Sequence, residues 1–261
     1  MKRYRYNYQS IIRLDAPVVR HYFKLRCLPC ENACQRIVSE RLQLHPAVCL
    51  RQDTDTFGNR IQYGHTLEEH DSFVFTSSGE VELSPYRIPE KEAAAMFRLE
   101  SLFTVPSAEM TAFSHSLHLP GSIEQKAILI AEAVYRRMDY RPGSTGNDTH
   151  AAQAFARAQG VCQDYTHIFI SLCRLNGIPA RYANGFMTGI GFTHAWAEVY
   201  DGECWIGIDP TNNNRIEYGY TKIAHGRDAA DCPVNRGVFI GGAGQYSEVR
   251  VLTEENTTPN D

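Results

Sequence analysis

Two alternating segments flanking Asp201-Gly202 constrain this chain more than any other stretch of it. Thr193-His194-Ala195-Trp196-Ala197-Glu198-Val199-Tyr200 places Ala195, Ala197 and Val199 on one face, and Glu203 to Asp209 returns with Cys204, Ile206 and Ile208 on one face. Period-two alternation on both sides of an Asp-Gly pair predicts a β-hairpin with a two-residue turn. Such a turn pairs Tyr200 with Glu203, which sets His194 opposite Asp209 and Trp196 opposite Gly207. Directly opposed residues share a face, with Cβ atoms about 5 Å apart. A carboxylate at that distance fixes an imidazole's orientation and tautomer and stabilises its charged form. Taken alone, such a pair is more often a buried histidine satisfied by an acid than a catalytic one.

A second segment changes that balance. After Gly160-Val161-Cys162-Gln163-Asp164, apolar or aromatic residues recur at 165, 168, 169, 172 and 175, and Asn176-Gly177 then Pro179 supply a stop. The spacing predicts a helix of about four turns with Cys162 in its first turn. Unpaired N–H groups and a partial positive charge there favour a thiolate and can receive the oxyanion of an attacked carbonyl. Cysteine, histidine and aspartate then complete nucleophile, base and orienting acid. Cys173, about three turns along, is expected in the core. His167 points away from the thiol, and Asp164 in the first turn suits the helix dipole as a capping group. The apolar face of the hairpin can pack on this helix.

The remainder organises around this core. Residues 1–105 read as short antiparallel strands, at Tyr4 to Tyr8, Val19 to Leu25, Ile37 to Leu44, Phe73 to Phe75 and Val81 to Leu83. Turn signals at Asp15-Ala16-Pro17, Phe57-Gly58-Asn59 and Ser78-Gly79 separate them, a pattern expected of a β-sandwich domain. Residues 106–261 form the second expected domain, with a helix capped by Ser122, a short helix near 149–158 and a frayed tail after Thr253. Gly241-Gly242-Ala243-Gly244 lacks the context of a dinucleotide site and reads as a loop. A net charge of −4 argues against nucleic acid. No run reaches the roughly 18 apolar residues that cross a bilayer, and no export signal is apparent, so a cytoplasmic protein is expected. Cys27, Cys30 and Cys34 cluster, but without a second ligand pair they read as small buried thiols, and neither metal nor cofactor is expected.

Gly160-Val161-Cys162-Gln163-Asp164, Gly177-Ile178-Pro179-Ala180-Arg181-Tyr182, His194-Ala195-Trp196-Ala197-Glu198 and Asp209-Pro210-Thr211-Asn212 together resemble the bacterial transglutaminase-like superfamily, whose members include proteins named as cysteine proteases. Gly226-Arg227-Asp228-Ala229-Ala230-Asp231 and Arg236-Gly237 are similar to that family's closing segment, so the resemblance runs from about residue 122 to 251. Residues before it resemble, with Phe57-Gly58-Asn59 as the best cue, the β-sandwich that precedes this domain. The resemblance implies an α+β fold with a papain-like, transglutaminase-like core. It implies acyl transfer through a Cys162 thioester, with His194 as base and Asp209 as orienting acid, on a peptide or protein substrate. Related enzymes use an upstream tryptophan or glutamine as second oxyanion donor. Lacking any tryptophan before Cys162, this chain offers Tyr140 for that role. Hydrolysis as a cysteine protease or amidase is the expected outcome. The alternatives are amine transfer to protein glutamine and a non-enzymatic peptide-binding scaffold.

Overall fold

The computed structural model describes residues 1–256 as curled antiparallel sheets packed with four α-helices. Strand β1 (Lys2–Leu25) is the spine of the N-terminal sheets. Strands β2 (Gln35–His45), β3 (Arg51–Thr54), β4 (Arg60–Thr66) and β5 (His70–Leu83) follow, β5 pairing with both β1 and β2, and β4 with the second half of β1. Two expected turns are absent. Asp15-Ala16-Pro17 is a bend within β1, where pairing with β5 lapses between Arg13 and Val18. Pro17 has no N–H to give a ladder, yet paired residues on either side keep the strand extended. Ser78-Gly79 lies inside β5, and a Cβ on Gly79 would sit 2.1 Å from the Ser39 carbonyl oxygen. That glycine serves a close approach at a bulge in β2, where the register shifts between Ile37 and Ser39. The Phe57-Gly58-Asn59 turn is present, joining β3 to β4, with Gly58 at φ 83° and Asp55 Oδ1 accepting the amides of Phe57 and Asn59.

The helical half begins after a short edge strand β6 (Arg87–Pro89). Helix α1 (Ala108–Ser116), which its weak apolar periodicity concealed, precedes α2 (Ile123–Arg137). Ser122 caps α2 as expected, its hydroxyl accepting the Gln125 amide while the Gln125 side chain accepts the Ser122 amide. Strand β7 (Asp139–Tyr140), α3 (Ala151–Arg157), β8 (Gln159–Gly160) and α4 (Cys162–Leu175) lead to the second sheet. Asn176-Gly177 ends α4 as expected, with Gly177 at φ 70°. Strands β9 (Ala180–Met187), β10 (Gly189–Gly191), β11 (His194–Tyr200), β12 (Cys204–Asp209), β13 (Asn214–Arg215) and β14 (Tyr220–Gly226) complete it, in the order β13-β12-β11-β9-β14 with β10 outside. Helix α4 packs on β9 and β11 with its 165, 168, 169 and 172 side chains buried, and Ala195, Ala197 and Val199 of β11 share that core with Ile206 and Ile208 of β12, a strand that packs on α2.

The far side of this sheet holds a buried charge cluster. Glu198, fully inaccessible, accepts from Arg181 and from Lys222 Nζ at 2.7–2.8 Å and from the Tyr86 hydroxyl at 2.7 Å. The Trp196 indole donates to the same Tyr86 oxygen at 3.0 Å. Burial alone would raise the Glu198 carboxyl, but the two cations hold it far below the usual carboxylate range. One carboxylate thereby ties β9, β11 and β14 together.

Strands β15 (Asn235–Ile240) and β16 (Gln245–Glu255) return to the N-terminal sheets, β16 along residues 4–14 of β1 and β15 along residues 19–25. The Gly241–Gly244 loop joins them, its Gly244 amide donating to Asp15 Oδ1 at the bend. The strand runs past Thr253 to Glu255, and the rest of the expected tail, residues 257–261, lies outside the described residues. Among the described residues no helix is long and apolar enough to cross a membrane.

Candidate active site

Cys162 opens α4, half-buried, directly after β8. Parallel pairing of Tyr140 with Gly160 lays β7 beside the residue pair that precedes the thiol. Asp164 takes the capping role expected of it. Its Oδ2 accepts the Val161 amide at 2.8 Å and the Thr145 hydroxyl at 2.6 Å, anchoring the 141–149 loop. Gly160 is required here, since a Cβ would lie 2.6 Å from that of Asp164. His167 is buried away from the thiol, stacked on Phe103 and accepting the Ala229 amide at 3.2 Å.

His194 and Asp209 meet, but not by the expected register. Tyr200 pairs with Trp205, Val199 with Ile206 and Glu198 with Gly207, so the hairpin turn spans four residues rather than two. Asp201 is the cause. Its Oδ1 accepts the amides of Glu203 at 2.9 Å and Cys204 at 2.8 Å, and the Tyr200 hydroxyl donates to the Gly202 carbonyl. The shift is two residues, which preserves every face. Asp209 therefore reaches His194 diagonally, and its Oδ2 lies 2.7 Å from His194 Nε2. Trp196 likewise does not sit over Gly207. Gly207 makes room for Tyr86 and Ile216, and the indole packs instead near Gly185.

Asp209 is fully buried, with its His194 partner only 11% exposed. Burial by itself would raise the Asp209 carboxyl, but His194, Asn212 and Tyr220 hold it below the usual range. Oδ2 accepts from Asn212 Nδ2 and from the Tyr220 hydroxyl, each at 2.7 Å, and Oδ1 accepts the amides of Thr211 and Asn212. Burial would also lower the His194 imidazole. The Asp209 bond and the neighbouring Cys162 sulfur outweigh it and raise the ring to about 10. With Nε2 engaged by the carboxylate, Nδ1 remains for the thiol. Tyr220 was not foreseen, because β14 reaches the site only through pairing with β9. Asn212 lay within a quoted motif, where an Asx turn after Asp209-Pro210 was readable.

Tyr220→Phe provides a test of this support. The variant should lose several-fold in turnover and shift the acid limb of the pH–rate profile upward. Removing one donor from Asp209 lets its carboxyl take a proton at higher pH. An unmoved acid limb would contradict the role assigned to the hydroxyl.

Tyr140, 52% exposed, lines with Tyr135, Tyr165, Met187, His194 and Asn212 an open cavity of about 620 Å³. Burial and then the Cys162 charge raise its phenol, which keeps it a hydrogen-bond donor. The seven other cysteines lie elsewhere. Cys27, Cys34, Cys173, Cys204 and Cys232 are buried, Cys30 is half-buried and Cys49 is exposed. Burial pushes the Cys27 and Cys34 thiols up to about 12.

Comparison with known proteins agrees with this architecture. Residues 112–210 match the family model of the transglutaminase-like superfamily, and residues 4–82 match that of the bacterial transglutaminase-like N-terminal region. The chain belongs to the transglutaminase-like superfamily. The uncharacterized protein Rv2569c of Mycobacterium tuberculosis is 29% identical over 274 residues, spanning 91% of this chain and 87% of the relative. ML0607 of Mycobacterium leprae is 25% identical over 250 residues, spanning 87% and 89%. A solved structure from Cytophaga hutchinsonii, named a "putative cysteine protease", shares the fold with a TM-score of 0.81 at 23% identity, covering 100% of this chain and 92% of that one.

Proposed function

We propose that this chain hydrolyses peptide or amide bonds through a thioester on Cys162. The observation that carries the reading is His194, held by Asp209 on one side and facing a helix-terminal thiol on the other. The thiolate attacks the carbonyl, and the oxyanion is received by N–H groups at the start of α4 and by the Tyr140 hydroxyl. His194 protonates the departing amine. It then takes a proton from water as that water attacks the thioester, releasing the acid and restoring the thiol. None of these steps calls for a metal or organic cofactor.

Water and amines compete for the same thioester. Water is present at about 55 M, and transfer prevails only where a site binds an amine and keeps water out. Tyr135 and Tyr140, at 48% and 52% exposure, leave the His194 side of the site open to solvent, which supports hydrolysis. Casein offered with a fluorescent primary amine, with peptide cleavage and ammonia release followed in parallel, tests the reading. Cleavage or ammonia release that disappears in Cys162→Ala is the expected result. Amine incorporation without hydrolysis would move the activity to protein crosslinking.

A further inference from the structure

A cavity of about 680 Å³ lies between the two halves of β1, where the N-terminal sheets fold over at the 14–18 bend. Ile12, Phe23, Phe73, Phe239 and Val249 belong to its lining, with Phe23 and Phe73 packed on each other at a ring-centroid distance of 4.6 Å. Its volume falls within the range of about 300–1,000 Å³ usual for ligand sites. The cavity reaches the candidate active site at two points. Thr193, on its wall, immediately precedes His194. Asn147, also on its wall, accepts through its carbonyl from the side chain of Gln163, the residue after Cys162.

Among the aromatic side chains of this lining sits a buried histidine, His21. It is 5% exposed and framed edge-on by Phe23, Phe73 and Phe239, with ring centroids 4.9–5.8 Å away. His70 Nδ1 lies 3.0 Å from the Glu68 carbonyl oxygen, which can only accept, so that nitrogen carries the proton. With that proton on Nδ1, His70 Nε2 accepts from His21 Nδ1 at 3.1 Å, which leaves His21 Nε2 as an acceptor. Burial, with the His70 charge adding to it, lowers the His21 ring to about 4 and so keeps it neutral. The side-chain hydrogen bond of His21 runs through Nδ1. Gly237, on the cavity wall, is what leaves Nε2 uncovered, since a Cβ there would lie 2.6 Å from it. Lys24 and Arg236, cross-strand neighbours that also border the cavity, oppose a cationic occupant.

We propose that this cavity is the side-chain recognition pocket of the substrate, and that it takes an aromatic residue bearing a hydrogen-bond donor, tyrosine above all. The ring fills the aromatic walls and its hydroxyl donates to His21 Nε2, placing a neighbouring peptide bond toward Cys162. The inference rests on the thiol-hydrolase reading for its link to turnover, but the pocket itself can be tested without it.

The first experiment titrates the full chain with p-cresol and with toluene by NMR at pH 7.5. p-Cresol should bind roughly threefold to tenfold more tightly than toluene, the increment of one hydrogen bond. His21→Phe should erase that difference. Ser247→Trp, on β16 opposite Ile12 and exposed on the cavity wall, should weaken both ligands at least tenfold while melting within a few degrees of the parent. Equal affinities in the parent chain, or binding indifferent to Ser247→Trp, would overturn the pocket. The second experiment compares peptides with tyrosine, phenylalanine, alanine or lysine beside the scissile bond. Tyrosine should give the highest Cys162-dependent kcat/KM and lysine the lowest, with p-cresol competing. Cys162-dependent turnover without that ranking would overturn the recognition role. p-Cresol binding without turnover of any peptide would instead refute the thiol-hydrolase reading and the pocket's link to it.

Discussion

Asp209→Asn should leave the chain folded and cut turnover of any amide substrate by roughly 10³–10⁴-fold, the size of effect seen when an orienting carboxylate is lost. The amide keeps the side chain's volume and one oxygen for the Thr211 and Asn212 amides that Oδ1 now accepts. What it loses is the charge that raises His194 and an acceptor-only partner for Nε2. An imidazole without that partner can present the wrong tautomer to Cys162. Cys162→Ala should abolish turnover altogether. Combining it with Asp209→Asn should cost nothing further, because residues acting as a unit are not additive. Asp209→Asn with nearly parental kcat/KM, measured beside an unchanged melting curve, would mean that the pair only satisfies a buried histidine.

The largest effect on stability is expected at Glu198. Glu198→Ala removes the carboxylate shared by Arg181, Lys222 and Tyr86, leaving Lys222 buried without its acid and Arg181 with only Glu90 at 3.7 Å. Breaking a buried pair from one side costs about 3–5 kcal/mol. For a chain of this size that corresponds to a fall in Tm of about 6–20 °C. Glu198→Gln, which keeps the acceptor but not the charge, should fall between the two. Adding Lys222→Met to Glu198→Ala should restore part of the loss, since one stranded charge goes with it. A Tm unchanged in Glu198→Ala by scanning calorimetry would show that the cluster contributes nothing to the fold.

The candidate site was legible in the sequence to the extent that its physics is local. The α4 periodicity, the Asn176-Gly177 stop and the strand alternation placed Cys162, His194 and Asp209 on the correct helix turn and faces. The hairpin register was not legible. Asp-Gly favours a two-residue turn, whereas the Asp201 side chain binds two amides beyond it and lengthens the loop to four. Because the slip is two residues, the His194–Asp209 contact survives it. Interactions that depend on distant strands left no local trace. β16 pairs with the first strand of the chain, and Tyr220 reaches Asp209 only after β14 has paired with β9. Glu198 read as one polar position in an alternating strand, and its cations come from β9 and β14. The 14–18 bend looked like a turn because Asp15-Ala16-Pro17 has turn composition, while the pairing that keeps β1 continuous comes from neighbouring strands.

The central claim is that Cys162 is an activated nucleophile, and its reactivity among eight cysteines tests that most directly. Native protein is treated briefly with iodoacetamide at pH 5.5, quenched and mapped by mass spectrometry. The raised His194 ring is cationic at that pH and the depressed Asp209 carboxyl remains ionised, so the imidazolium stays in place to stabilise a thiolate. Burial keeps Cys27 and Cys34 protonated as well as covered, and only Cys49 is freely exposed. Cys162 should be labelled at least tenfold faster than Cys49, and His194→Ala should remove the advantage. Cys49 labelled first, or all accessible cysteines labelled alike, would contradict the assignment.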